Sequence, residues 1–201
     1  RIFEYHYLQA AAPLTTFPDA TETIASLRMI KGEKEINALR KAAEIAQNAL
    51  TATLPMIKIG VDEKTIASEL VSQLLKNGSE TPLPFQPIVS GGPNSANPHA
   101  TPTERKLQEG DLLVIDWGAR YEDYVSDITR TFAIGEIDAE YRKIHEIVQE
   151  ANAAGRAAAK PGLPAKVVDI AARKVIDDAG YGEYFTHRTG HGIGMEGHEA
   201  P

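Results

Sequence analysis

Cysteine is absent from this 201-residue chain, which excludes disulfides and zinc sites built on thiolate ligands. Any metal ion would have to be held by histidine, aspartate or glutamate side chains. Apolar runs long enough to cross a bilayer are also absent, so no membrane partner is expected. Basic residues are few, since 21 Lys and Arg stand against 28 Asp and Glu for a formal net charge of −7. This balance argues against a nucleic-acid partner.

The start of the chain differs in composition from the rest. Two prolines and several Thr and Ser residues in its first part are typical of a linker. We therefore predict that residues 1–31 are the tail of an N-terminal domain with its linker, and that residues 32–201 form one further domain. The first ten residues lack the basic-then-apolar order of a signal peptide. A cytoplasmic location is the expectation.

Four amphipathic helices and one hairpin are predicted along the second domain. Asp62 is the expected N-cap of the second helix, and Gly78 is expected to end it. The segment "DLLVIDWGARYEDYVSDITRTFAIG" has two apolar, β-branched runs around the polar "RYED", a pattern that predicts a β-hairpin. The helices are expected over residues 33–54, 62–78, 138–160 and 164–179.

An internal repeat is visible when the sequence is shifted by 102 residues. "GVDEKTIASELVSQLLKNG" then lies over "GLPAKVVDIAARKVIDDAG", with Gly60 on Gly162 and Gly78 on Gly180. Two glycine-bounded amphipathic helices can look alike by chance, but the coincidence of both glycines and the apolar stripe favours duplication. The second copy is expected to end before a hairpin equivalent to the first.

Two aspartates are predicted to face each other across the hairpin. If the turn is centred between Tyr121 and Glu122, Asp116 lies opposite Asp127, with Cβ atoms about 5 Å apart. Either residue alone could be a half-solvated strand end. As an opposed pair, the two charges repel unless one takes up a proton or a cation lies between them. The pair therefore indicates a shared proton or a metal site.

The C-terminal segment "HRTGHGIGMEGHEAP" contains three of the six histidines of the chain. Its glycines allow close approach of the backbone to a neighbouring strand and leave space for an ion or a substrate. A lone histidine in such a segment is most often solvated. With two facing carboxylates in the hairpin, these glycine-spaced histidines, including His191 between Gly190 and Gly192, are the natural place to look for an imidazole ligand.

Four segments together resemble the peptidase family with the pita-bread fold, which includes metal-dependent Xaa-Pro aminopeptidases, prolidases (Xaa-Pro dipeptidases) and methionine aminopeptidases. The segments are "LRMIKGEKEI", "NSANPHA", "DWGARYEDYVSDITRTFAIG" and "HRTGHGIGMEGHEAP". "NSANPHA" and "SDITRTF" are more similar to the proline-specific branch. The resemblance implies an α+β, pita-bread (creatinase/aminopeptidase) fold with an internal pseudo-twofold repeat, here lacking its last strands at the C-terminal end.

The resemblance also implies roles for individual residues. Asp116 would be the bridging carboxylate of a dinuclear metal site, while Asp127 ligates one ion and His191 the other. His99 and His187 would bind substrate. His198 would bind substrate and act in catalysis by steadying the tetrahedral intermediate. The implied reaction is hydrolysis of the N-terminal Xaa-Pro bond by a hydroxide that bridges two metal ions.

The expected cofactors are two divalent metal ions, foremost Mn²⁺, with Co²⁺ or Zn²⁺ as alternatives. Two glutamate ligands are expected beyond residue 201, and Glu199 is not one of them. The expected partner is a peptide with proline at its second position, and the full-length protein is expected to be a homodimer. This chain alone is expected to be inactive and to bind at most one metal ion, weakly.

Three other functions are compatible with the same motifs. A methionine aminopeptidase or a metal-free, creatinase-like hydrolase would share the fold but not the reaction. A non-catalytic pita-bread domain used for binding, as in certain histone chaperones, would tend to lose the ligands. The retained Asp116, Asp127 and His191 favour the metallopeptidase.

Overall fold

The computed structural model describes residues 2–201 and divides the chain into two compact units, residues 1–30 and 31–201. In the first unit, α1 (Ile2–Ala11) and α2 (Thr21–Met29) have no buried residue among those described. None of the helices within residues 2–201 is both long and apolar enough to cross a membrane. The assignment of residues 1–31 to the tail of another domain stays a prediction.

The second unit begins with two helices that match their predicted positions. Helix α3 (Glu33–Thr53) runs into a 3-10 turn, and α4 (Glu63–Lys76) follows. The predicted N-cap of α4 is confirmed, because the Asp62 carboxylate accepts the Thr65 backbone N–H at 2.9 Å. Two further helices, α5 (Ala139–Ala158) and α6 (Lys166–Asp178), lie later in the chain and pack on each other.

The strands form an antiparallel sheet in the order β1-β2-β5, with a two-stranded ribbon, β3 and β4, at the tip of the hairpin. The hairpin predicted from the two apolar runs is confirmed. The short strand β1 is not among the elements predicted from the sequence. The strands span Ile88–Gly91 (β1), Leu112–Trp117 (β2), Arg120–Tyr121 (β3), Tyr124–Val125 (β4) and Ile128–Ala133 (β5).

The predicted register of the hairpin is wrong, because the turn lies one residue further along the chain than expected. Asp116 pairs with Thr129 rather than with Asp127. The turn lies on Glu122 and Asp123, whose φ angles are 47° and 66°. Because side chains alternate between the faces of a strand, a partner two residues away stays on the same face. The two aspartates are therefore diagonal neighbours instead of direct partners.

One face of the sheet packs against α3 and α4, and the other carries the acidic pair. Residues that point towards the helices are fully buried, and Trp117 donates its indole N–H to the Ala46 carbonyl at 2.8 Å. Asp116 is only half-buried, because it alternates with these residues and faces away from the helices. The buried side chains of this core face are Val89, Leu113, Ile115 and Trp117.

The structure also supports the internal repeat. The glycines that bound the two copies all have positive φ, with values of 87° and 82° at the start of each copy and 99° and 85° at the end. These values belong to Gly60, Gly162, Gly78 and Gly180 respectively. The helix within each copy, α4 or α6, occupies equivalent residues.

An apolar cavity of about 400 Å³ lies beside α5 and α6. Under the shift of 102 residues, four of its lining side chains are equivalent to core residues of α3 and α4 that are at most 2% exposed. These pairs are Ile144 with Ala42, Ile147 with Ile45, Val148 with Ala46 and Ile176 with Leu74. Positions that belong to the packed core in the first copy thus line a cavity in the second.

Candidate metal centre

Asp116 lies on the face of β2 that points away from the helices, and the pKa of its carboxyl group is raised. The Thr129 hydroxyl on the paired strand donates to its Oδ1 at 3.0 Å. Burial, followed by the negative charge of Asp127, raises the pKa of Asp116 from 3.8 to about 6. Both effects penalise its charged form. The aspartate pair thus favours an added proton or cation, as the sequence predicted.

His191 contacts the same pair through Asp127. Its Nε2 lies 3.5 Å from Asp127 Oδ2, and both side chains are 23% exposed. Its Nδ1 lies 2.9 Å from the Gly192 carbonyl oxygen. A carbonyl only accepts hydrogen bonds, so Nδ1 carries a proton. In the neutral ring, Nε2 is then a free acceptor directed at a carboxylate, and the two need a proton or a cation between them.

The chemistry of these donors fits a divalent metal ion. Two carboxylates and one imidazole match hard to borderline cations, and the Nδ1 contact of His191 with a carbonyl is the usual orienting bond of a ligating histidine. Within residues 2–201, however, no three His, Asp or Glu side chains converge closely enough to hold a metal ion. Asp127 is the neighbour that Asp116 and His191 have in common. The full ligand set stays a prediction.

The C-terminal segment reaches the site because its backbone adds to the hairpin. Val125 donates its N–H to the Gly194 carbonyl at 2.9 Å, and Glu199 donates to the Gly192 carbonyl at 3.0 Å. A Cβ atom at Gly192 would lie 2.5 Å from the Ala200 carbonyl oxygen. The close backbone approach expected from the glycines is therefore confirmed here. It folds the segment back on itself and brings its second and third histidines together.

His198 stacks on His191, with ring centroids 3.8 Å apart and planes inclined by 28°. The adjacent Glu199 pairs with Lys31 at 3.4 Å, and both side chains are largely buried, at 7% and 15% exposed. No local sequence signal predicts this ion pair, because its partners are 168 residues apart. The pair fixes the segment that presents His198 beside His191.

The remaining two candidate histidines lie on other segments. The His187 ring packs edge-on against Phe185 at 4.9 Å, and the His187 carbonyl accepts a hydrogen bond from Arg173 of α6 at 2.8 Å. His99 is exposed in the loop after β1, where its N–H donates to Asn97 Oδ1 at 3.0 Å. The structure thus groups Asp116, Asp127, His191 and His198, while the contacts described for His187 and His99 are with other segments.

The raised pKa of Asp116 predicts an unusual pH dependence for the metal-free protein. The unfolded pKa is about 3.8 and the folded pKa is about 6, so the folded state binds more protons between these values. The free energy of unfolding therefore falls as the pH rises through that window. Asp116→Asn removes the charge, and we expect it to stabilise the chelator-treated protein at pH 7 by about 1–2 kcal/mol, allowing for solvent screening.

Chemical denaturation at pH 4 and pH 7 measures this effect. Asp178→Asn is the matched control, because Asp178 is exposed and pairs with Lys174 on the surface of α6. The control is expected to gain nothing at pH 7. An Asp116→Asn protein that is no more stable than wild type at pH 7 would contradict the raised pKa.

Comparison with known proteins gives a consistent result. The model of Metallopeptidase family M24 matches residues 37–201. The Xaa-Pro dipeptidase of Pyrococcus horikoshii is 42% identical over 194 residues, which cover 96% of this chain and 55% of that protein. The chain spans about half the length of the curated relatives it matches.

Two solved structures are similar over the whole chain. The prolidase from Pyrococcus horikoshii has a TM-score of 0.96 at 40% identity, covering 100% of this chain and 58% of that one. The X-Pro aminopeptidase from Thermotoga maritima has a TM-score of 0.94 at 38% identity, covering 100% and 56%.

These similarities establish the fold and the family. The structural neighbours are pita-bread proteins, so the predicted α+β pita-bread fold is confirmed. The resemblance drawn from the four motifs is confirmed as well. Peptidases of this family depend on divalent metal ions, in agreement with a cysteine-free set of carboxylate and imidazole donors. This chain belongs to metallopeptidase family M24.

Proposed function

We propose that the whole protein hydrolyses the peptide bond between an N-terminal residue and a following proline. The observation that carries the proposal is the pair of neighbouring carboxylates with an imidazole directed at one of them. Relatives named Xaa-Pro dipeptidase and X-Pro aminopeptidase give the proline specificity. The chain corresponds to about half the length of such a protein, so the activity is assigned to the whole protein.

The metal centre would use Asp116, Asp127 and His191 together with further ligands outside this chain. We infer two divalent ions, with Mn²⁺ favoured because the donors are oxygen and nitrogen atoms and thiolate is absent. Such ions lower the pKa of a water molecule and polarise a substrate carbonyl. The Asp116 and Asp127 carboxylates would hold them, and the Gly192 carbonyl would keep His191 in the tautomer that leaves Nε2 free.

The other histidines would act on the substrate. His198, stacked on His191, would donate a hydrogen bond to the negative charge that develops on the scissile carbonyl oxygen. Its imidazole plane is held by the stack and by the Lys31–Glu199 ion pair next to it. We propose that His99 and His187 contact the substrate from their separate loops.

We also propose a domain arrangement, an oligomeric state and a cellular location for the whole protein. Residues 1–31 would be the tail of an N-terminal domain, the whole protein would be a homodimer, and its location would be cytoplasmic. No nucleic-acid or membrane partner is proposed. Light scattering of the purified whole protein measures the oligomeric state directly.

A peptide panel tests the proposed reaction. The whole protein, loaded with Mn²⁺, is expected to cleave Xaa-Pro substrates at least about a hundredfold faster than the same peptides with Ala in place of Pro. That ratio corresponds to about 2.7 kcal/mol of differential transition-state binding. Xaa-Pro dipeptides and Xaa-Pro-Yaa tripeptides in the same panel separate a dipeptidase from an aminopeptidase.

The panel also separates the alternatives. Preference for Met-Ala peptides would contradict the proposed proline specificity and would indicate a methionine aminopeptidase. Stoichiometric metal by elemental analysis together with turnover would contradict both a creatinase-like hydrolase and a non-catalytic binding domain. A metal-free protein that cleaves no peptide would contradict the proposal.

A further inference from the structure

Glu63, the first residue of α4, is a fully buried carboxylate that only accepts hydrogen bonds from other segments. Its Oε1 accepts the Gly91 N–H at 2.7 Å, and its Oε2 accepts the Thr103 N–H at 2.9 Å and the Thr103 hydroxyl at 2.7 Å. The Asn94 amide donates to both oxygens, at 3.0 and 3.2 Å. Burial alone would raise the pKa of Glu63, but these bonds outweigh it and lower the pKa.

The donors lie at the two ends of one loop, residues 92–103. Gly91 ends β1 just before the loop, and Thr103 is its last residue. The loop starts with a 3-10 turn that contacts β2, the strand that carries Asp116, and it exposes His99 near its tip. A single carboxylate therefore closes the base of the loop, directly after β1, whose first residue, Ile88, pairs with Asp116.

A part-buried ion pair supports the same base. Arg105 donates two hydrogen bonds to Asp111, at 2.6 and 2.8 Å, and Asp111 also accepts the Gln108 N–H at 2.8 Å. Gly92 packs directly on this pair, since a Cβ atom there would lie 2.5 Å from both side chains. The loop is thus anchored at its base by charged groups, while its tip is free to contact a ligand.

We propose that Glu63 is a positioning residue for substrate binding, which fixes the loop at residues 92–103 and, through it, the place of His99 relative to Asp116. The inference rests on the proposed function, in which His99 lines the substrate pocket. A carboxylate suits this position because every hydrogen bond there is donated to it. Glutamine has the same shape but would turn an amide N–H₂ towards donors and lose half of the bonds.

The test is Glu63→Gln in the whole, metal-loaded enzyme. We expect KM for an Xaa-Pro dipeptide to rise about tenfold, the factor given by the loss of roughly one charge-assisted hydrogen bond of positioning energy. We expect kcat to change less than threefold, because Glu63 does not touch the candidate metal ligands. Hydrogen exchange should become faster at the Gly91 and Thr103 amides.

Thr53→Val is the matched control for general destabilisation. Thr53 is also fully buried, and its hydroxyl donates to the Ala49 carbonyl at the end of α3, away from the loop. This variant should lower the melting temperature while leaving KM and exchange in residues 92–103 unchanged. If Thr53→Val raises KM as much as Glu63→Gln does, the inference is wrong.

Thr103→Val is a milder second variant in case Glu63→Gln does not fold. It removes the single hydroxyl donor to Glu63 and keeps the backbone N–H, so a KM increase of about threefold is expected. An unchanged KM in a folded variant of Glu63 or Thr103, in an enzyme whose wild type cleaves Xaa-Pro peptides, overturns this inference alone. A wild type that cleaves no peptide overturns the proposed function and this inference with it.

Discussion

Replacement of His191 or Asp127 by alanine in the whole protein is expected to reduce kcat/KM for Xaa-Pro hydrolysis by on the order of 10³-fold or more. A metal centre contributes several kcal/mol of transition-state stabilisation, and each 1.36 kcal/mol corresponds to a factor of ten. The fold should be retained, because both side chains lie outside the core formed by α3, α4 and the sheet.

Matched controls separate the loss of metal from a general effect of substitution. His6→Ala changes an exposed histidine of the N-terminal unit, and Asp178→Ala changes an exposed acid of α6. Both should keep wild-type turnover and wild-type metal content. Near-wild-type turnover in Asp127→Ala or His191→Ala would remove that residue from the proposed ligand set, whereas lost metal with retained circular dichroism supports it.

The 201-residue polypeptide by itself is expected to hydrolyse no Xaa-Pro peptide and to bind at most one divalent ion, weakly. Hard cations take about six ligands, while the chain offers three candidates, and no three acidic or histidine side chains converge within residues 2–201. Titration calorimetry with Mn²⁺ and a dipeptide assay, run beside the whole protein as the positive control, measure both properties. Two tightly bound ions together with turnover in this polypeptide would disprove the expectation.

The helices and the hairpin could be predicted because their signals are local, and the repeat because both copies are present in the sequence. Asp62 occurs where an N-cap is needed, and β2 alternates between buried and half-buried residues along its length. The register could not be predicted to the residue. A two-residue turn with positive φ angles could be centred at either of two neighbouring positions. The structure centres it on Glu122 and Asp123, which avoids forcing Tyr121 into a conformation that bulky residues disfavour.

The supports of the candidate site were missed because their partners are distant in sequence. In the sequence, Glu63 is an ordinary acidic residue in the first turn of a helix. The residues that donate hydrogen bonds to it lie 28 to 40 positions away. Lys31 and Glu199 are separated by 168 residues. Nothing in a local pattern shows that either acid is buried, since that depends on how the segments pack.

The environment of Trp117 determines which events the tryptophan fluorescence of this protein can report. It is the only tryptophan in the chain, it is fully buried, and its indole N–H is bonded to the Ala46 carbonyl. The intrinsic tryptophan emission therefore reports on the packing of the sheet against α3, while events confined to α5 and α6 leave this emission unchanged. Because Asp116 precedes Trp117 on β2 and faces the other side of the sheet, the same fluorophore reports on the packing of the strand that carries the proposed metal ligand.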